Sequence, residues 1–133
     1  MAYRTFVGDG GVSKILVCDD TPDILEMVQL ILETEGFEVK TALAGREVLI
    51  ALAKEIPDLV LLDLRMPGLD GFGVLRELRL RSGPAPPVII LSAKSMEEDR
   101  QAALAAGAKG YLVKPFTVAQ LVDAVRQQIG AAG

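Results

Sequence analysis

The sequence predicts an α/β protein: one domain built as a doubly wound (βα)5 parallel sheet, with strand order 2-1-3-4-5 and helices on both faces. Three observations predict it. Five short apolar runs, most of them rich in β-branched residues, alternate with five longer stretches of helical period. Such alternation calls for right-handed crossovers that cover both faces of a parallel sheet. The polar residues that close these runs all fall at carboxyl ends, the edge where open sheets of this class bind ligands. A chain of 133 residues suits one such domain, burying roughly two thirds of its unfolded surface without covalent staples.

The elements follow in order. KILVC from Lys14 is the first strand. Between Pro22 and Glu35, Ile24, Leu25, Val28, Ile31 and Leu32 form an apolar stripe, with Thr21 and Pro22 as the start signal and Gly36 as the stop. FEVKT, Phe37 to Thr41, alternates and reads as an edge strand. Ala44 to Glu55 continues as a helix that must end before Pro57. DLVLLD from Asp58 is the third strand, and Gly71 to Leu80 is a helix closed by SGPAPP. PVIILS from Pro87 is the fourth strand. Ser95-x-x-Glu98 has the capping-box pattern and opens a helix to Ala106. GYLVK from Gly110 is the last strand, and Thr117-x-x-Gln120 opens the last helix, to Ile129. Residues 1–13 are expected as an N-terminal extension, 14–130 as the domain and 131–133 as a tail.

Composition narrows the chemistry. The chain has no histidine, which removes the usual general base and the usual zinc ligand, so a metal site here must be made of oxygen. The single cysteine, Cys18, cannot pair within the chain and reads as a small buried hydrophobe. A formal charge of −4 gives no electrostatic reason to expect nucleic-acid binding. No run approaches the ~18 apolar residues of a membrane span. The expectation is a soluble, cytoplasmic chain with neither membrane nor nucleic acid as a direct partner.

Asp19 and Asp20 end the first strand, Asp63 the third, Ser92 the fourth and Lys114 the fifth. In the order 2-1-3-4-5 the first and third strands flank the switch point, so three aspartates converge there with Ser92 and Lys114 beside them. Taken singly, each has a plainer reading. Asp19 and Asp20 could cap and turn into the first helix. Asp63 could be a turn acid before Pro67-Gly68. Ser92 could bond to backbone, and Lys114 could be a solvated lysine. Arg76, Arg79 and Arg81 most simply form a solvated face.

Together, Asp19-Asp20, Asp63 in LLDLRMPGLDG, Ser92-Ala93 and Lys114-Pro115-Phe116 resemble the receiver domain of two-component response regulators, the CheY-like family with a flavodoxin-like fold. The resemblance covers about Lys14 to Ile129. It implies a phosphorylation-activated signalling switch that modifies itself rather than an enzyme acting on a separate substrate. Asp63 is the implied phosphoacceptor, and Lys114 and Ser92 the groups that meet the phosphoryl oxygens. Mg2+ is the implied cofactor, since a hard cation that keeps waters suits one or two carboxylates plus phosphate oxygen. Its implied ligands are Asp20 and Asp63 directly, Asp19 through water, and the backbone carbonyl of Arg65. Ser92 and Tyr111 are the implied switch residues, changing the surface of the fourth helix, fifth strand and fifth helix. The small residues of AALAAGA add that the fourth helix is held weakly. A cis Lys114-Pro115 peptide is implied too.

Because the chain has no histidine to carry a phosphoryl group, the resemblance implies a separate histidine kinase or phosphotransfer protein as donor, and an output domain or downstream protein as reader. The chain departs from many winged-helix regulators at Lys109-Gly110, where those carry acidic residues that help them dimerise. A receiver excised from a longer regulator or hybrid kinase is an alternative reading. An aspartyl-phosphate phosphohydrolase of the haloacid-dehalogenase type is a distant one, because LDLRMP offers no second acid two residues on. A phosphate-independent scaffold is disfavoured by the complete set of acid, hydroxyl and lysine.

Overall fold

The structure, a computed structural model, describes residues 12–93 and 97–130. Ten elements alternate: β1 (Lys14–Cys18), α1 (Pro22–Thr34), β2 (Glu38–Ala42), α2 (Gly45–Lys54), β3 (Leu59–Asp63), α3 (Gly71–Leu80), β4 (Val88–Ser92), α4 (Glu97–Ala105), β5 (Gly110–Val113) and α5 (Val118–Ile129). The strands pair in parallel in the order β2-β1-β3-β4-β5, as the sequence predicts. The Ser95 end of the predicted capping box lies outside the described residues, as do residues 1–11 and 131–133.

The apolar runs explain the layers. Every residue of β3 and β4 is buried, the pattern of central strands covered on both faces. Side chains alternate across each strand. Leu16, Cys18, Leu62 and Ile90 therefore pack with α2, α3 and α4, while Ile15, Val17, Leu61 and Leu91 pack with α1 and α5. β2 buries only Val39 and Ala42, and β5 is at best half-buried, as befits the two edges.

Element ends differ from the sequence reading by about one residue, each time for a local reason. The Phe37 amide donates to Leu32 O at 3.1 Å, so Phe37 closes α1 and β2 starts at Glu38. Ala44 and Glu55 have extended backbone and flank α2 as its caps. Asp58 is drawn out of β3, its carboxylate accepting the Lys14 amide at 2.7 Å. Ala106 falls outside α4, before Gly107 at φ +112°. Thr21 does precede Pro22 at the start of α1, but its side chain makes no capping bond. The box at Thr117 and Gln120 is complete, with both reciprocal bonds present. No helix among the described residues is long and apolar enough to cross a membrane.

Candidate functional site

The carboxyl edge of the sheet assembles the site from four strands. Asp19 follows β1 directly, and its amide still bonds to Ala42 O at 3.2 Å, so its side chain is held over the sheet and is fully buried. One residue on, Asp20 is exposed. Asp63 is the last residue of β3 and only 6% exposed; Ser92 is the last of β4 and 1% exposed. Lys114 lies just beyond β5, joined to β4 by its amide, which donates to Ser92 O at 2.7 Å. The Lys114-Pro115 bond is cis.

The three carboxylates converge: one oxygen from each of Asp19, Asp20 and Asp63 lies within 4.8 Å of the others. Three anions so close repel one another and are tolerable only with positive charge among them. Lys114 supplies part of it. Its Nζ is 2.6 Å from Asp19 Oδ2 and 3.6 Å from Asp63 Oδ1, so the lysine's short bond is to Asp19. The other Asp19 oxygen accepts the Thr21 amide at 2.9 Å, which orients the carboxylate at the start of α1. Burial pushes the Asp63 carboxyl above its ordinary value, and Asp19 adds to this; Lys114 and the Arg65 backbone N–H act the other way. An all-oxygen cluster carrying about −3 against one lysine fits a hard divalent cation.

The loop after Asp63 is fixed by features the sequence reading passed over. A Cβ on Gly71 would sit 2.8 Å from Asp63 O and 2.9 Å from Leu64 Cα, so only glycine lets α3 begin this close to the end of β3. The Gly71 amide also closes the loop onto Leu64 O at 3.0 Å. Asp70, absent from the predicted set, caps α3 by accepting the Gly73 amide at 2.9 Å; Asp before Gly in LDG is the N-cap signal that could have found it. Gly45 starts α2 against the Leu69 carbonyl of the same loop, where a Cβ would clash with the oxygen.

The remaining residues singled out by sequence are placed as follows. Cys18 is buried with Sγ 3.5 Å from Met66 Sδ, and burial above all pushes its thiol up to about 12, which makes it a packing group. Tyr111, on β5, is half-buried against the core cluster shared by α2, α3 and α4. Arg65 is exposed and its guanidinium lies 3.6 Å from Asp99. Arg76, Arg79 and Arg81 are exposed, and Arg79 donates to Ala105 O at 3.0 Å at the end of α4.

Comparison with known proteins bears on the family and the fold. The family model described as the response regulator receiver domain matches residues 15–126. The transcriptional regulatory protein PrrA of Mycobacterium leprae is 44% identical over 127 residues, covering 94% of this chain and 54% of that protein. The DNA-binding response regulator MtrA of Mycolicibacterium smegmatis is 41% identical over 116 residues, covering 87% of this chain and 50% of that protein. The chain thus spans about half the length of these two relatives. Among solved structures, the chemotaxis protein CheY4 of Vibrio cholerae superposes with a TM-score of 0.83 at 34% identity, over 89% of this chain and 99% of that one.

Proposed function

The chain belongs to the response regulator receiver domain family, and on that premise we propose that it is a phosphorylation-controlled switch whose acceptor is Asp63. One observation carries the reading: three carboxylates within 4.8 Å of one another, with Lys114 Nζ 2.6 Å from Asp19 and 3.6 Å from Asp63. A carboxylate oxygen of Asp63 forms the new bond to phosphorus while the donor's bond to phosphorus breaks and its electron pair stays with the donor, leaving an acyl phosphate. Asp20, Asp63 and the Arg65 carbonyl would hold Mg2+, with Asp19 through water, and the bound cation would supply charge neutralisation at the transferring oxygens. Lys114 adds a second positive charge there, and the Ser92 hydroxyl donates to the phosphoryl group.

Readout belongs to Ser92, Tyr111 and the surface of α4, β5 and α5. The donor is a histidine kinase or phosphotransfer protein working in the cytoplasm, and the reader an output domain or downstream protein. The chain modifies itself and turns over no separate substrate. Incubation with acetyl phosphate and Mg2+, followed by intact mass measurement, tests the core of this. One phosphoryl group should appear on the wild type, none at that site on Asp63→Asn, and none when a chelator removes divalent cation. Undiminished incorporation in Asp63→Asn would remove Asp63 from the role.

A further inference from the structure

α4 is tied at both ends by an arginine from elsewhere in the chain. At its C-terminal end Arg79 of α3 donates to the Ala105 carbonyl at 3.0 Å. At its N-terminal end Asp99 Oδ1 lies 3.6 Å from Nη2 of Arg65, with side chains 22% and 55% exposed. Between these ends the helix buries only Ala103, so the two ties weigh heavily in holding it down. Arg65 stands two residues after Asp63, on the loop that leaves β3. Its guanidinium is thus anchored beside the acceptor and reaches outward from it to α4.

We propose that Arg65 is a positioning residue: its ion pair with Asp99 ties the loop after β3 to the first turn of α4, and a phosphoryl group on Asp63 draws the guanidinium away and releases that end of the helix. This rests on the reading of Asp63 as the acceptor. The direction follows from charge and shape. At 3.6 Å the contact with Asp99 is beyond ordinary hydrogen-bond length. A phosphoryl group brings about −1.5 to −2 and three acceptor oxygens, which the planar guanidinium fork matches better than a single carboxylate oxygen. Arg65 therefore interacts differently with the two states, which is the requirement for shifting a population between them.

Amide exchange over residues 99–105 tests the idea, with phosphorylation followed separately by intact mass. In the unphosphorylated protein, Asp99→Asn should raise exchange roughly two- to fivefold, the size expected of an exposed ion pair. Wild type in about 1 M salt should move the same way. Glu98→Gln removes the same charge from the same first turn, and Glu98 makes no ion pair among the described residues, so it should leave exchange unchanged. On treatment with acetyl phosphate and Mg2+, wild type should rise by a similar factor and Asp99→Asn by little more. The tie is overturned if Asp99→Asn matches wild type, or if Glu98→Gln acts as strongly, since the helix dipole would then explain both. The release is overturned if phosphorylated Asp99→Asn responds as fully as wild type. Absence of any mass gain sinks the acceptor reading and the release with it, while the contrast between Asp99→Asn and Glu98→Gln before treatment still decides the tie.

Discussion

α3 and α4 lie on the same face of the sheet and are nearly equal in length, ten residues and nine, yet they are held by different means. α3 buries Val74, Leu75 and Leu78 as well as Gly71 and Gly73, and each of its three large side chains contributes about 1.5–3 kcal/mol when fully buried. α4 buries Ala103 alone, a methyl group contributing about 0.8 kcal/mol, and its ends rest on Arg65 and Arg79. β5 beside it is a half-buried edge strand, whereas β3 is buried throughout. The contrast teaches where rigidity is placed. Asp63, the proposed acceptor, stands between elements locked by apolar packing, and the surface proposed to report on it belongs to the part of the fold with least to lose by moving, the end of the stability range from which mobile elements are drawn.

The strongest way to break this comparison is to cut equivalent side chains from the two helices. Leu75→Ala should cost about 3 kcal/mol of global stability by urea unfolding, because a fully packed leucine leaves a cavity. Leu104→Ala, at a half-buried position on α4, should cost about 1 kcal/mol. Equal losses would show α4 to be as firmly seated as α3.

Lys114→Ala should come next, at about 2 kcal/mol. It leaves Asp19 fully buried beside Asp63 with its nearest counter-charge gone, and Lys114 is itself 18% exposed, which brings the cost below that of a wholly dry pair. Mg2+ should restore part of the loss, measured as the shift of the urea midpoint with added cation. No recovery would mean that the pocket is held by packing alone and that the charges are not coupled.

A smaller difference is expected within the wild type. Amides of α4 should exchange at least about tenfold faster than those of α3, or about 1.4 kcal/mol in opening free energy. Matching protection would remove the contrast between the helices.

The smallest effect is a pH dependence confined to the rigid half. The folded protein holds the Asp63 proton more tightly than the unfolded chain, because burial raises this carboxyl above its ordinary 3.8. Its stabilising contribution is therefore fully present below the unfolded value, is lost as pH rises through the raised folded value, and leaves a constant penalty at neutral pH. Asp63→Asn lacks that penalty. Without divalent cation, the variant should melt above wild type at neutral pH, with the gap closing on acidification. A gap independent of pH would assign the difference to packing.

Much of this was legible in the chain. The apolar LVLL and VIIL runs, each closed by one polar residue, read as buried strands, and the alternation in FEVKT as an edge. The glycine and proline punctuation placed ten elements to within about a residue, and the polar residues at strand ends pointed to one pocket. These signals are local: periodicity, caps and breakers act over a few residues and survive without knowledge of what packs against them. What the neighbours decide was not legible. Asp19 is buried and Asp20 exposed although they are adjacent and their carboxylates meet in one cluster: Asp19 is still bonded to the sheet through its amide, and Asp20 stands one residue further out. Lys114 makes its short bond to Asp19, three strands away, although Asp63 is also near. Asp99 meets Arg65 across 34 residues of sequence, and nothing in either local pattern selects the other. The sequence by itself determined the elements, their order and the chemical inventory of the pocket, since each is written in short-range pattern and residue type. The pairing of charges within that inventory, and the unequal grip on α3 and α4, were decided only by the tertiary structure, because burial and distance between remote residues exist only once the sheet has closed beneath them.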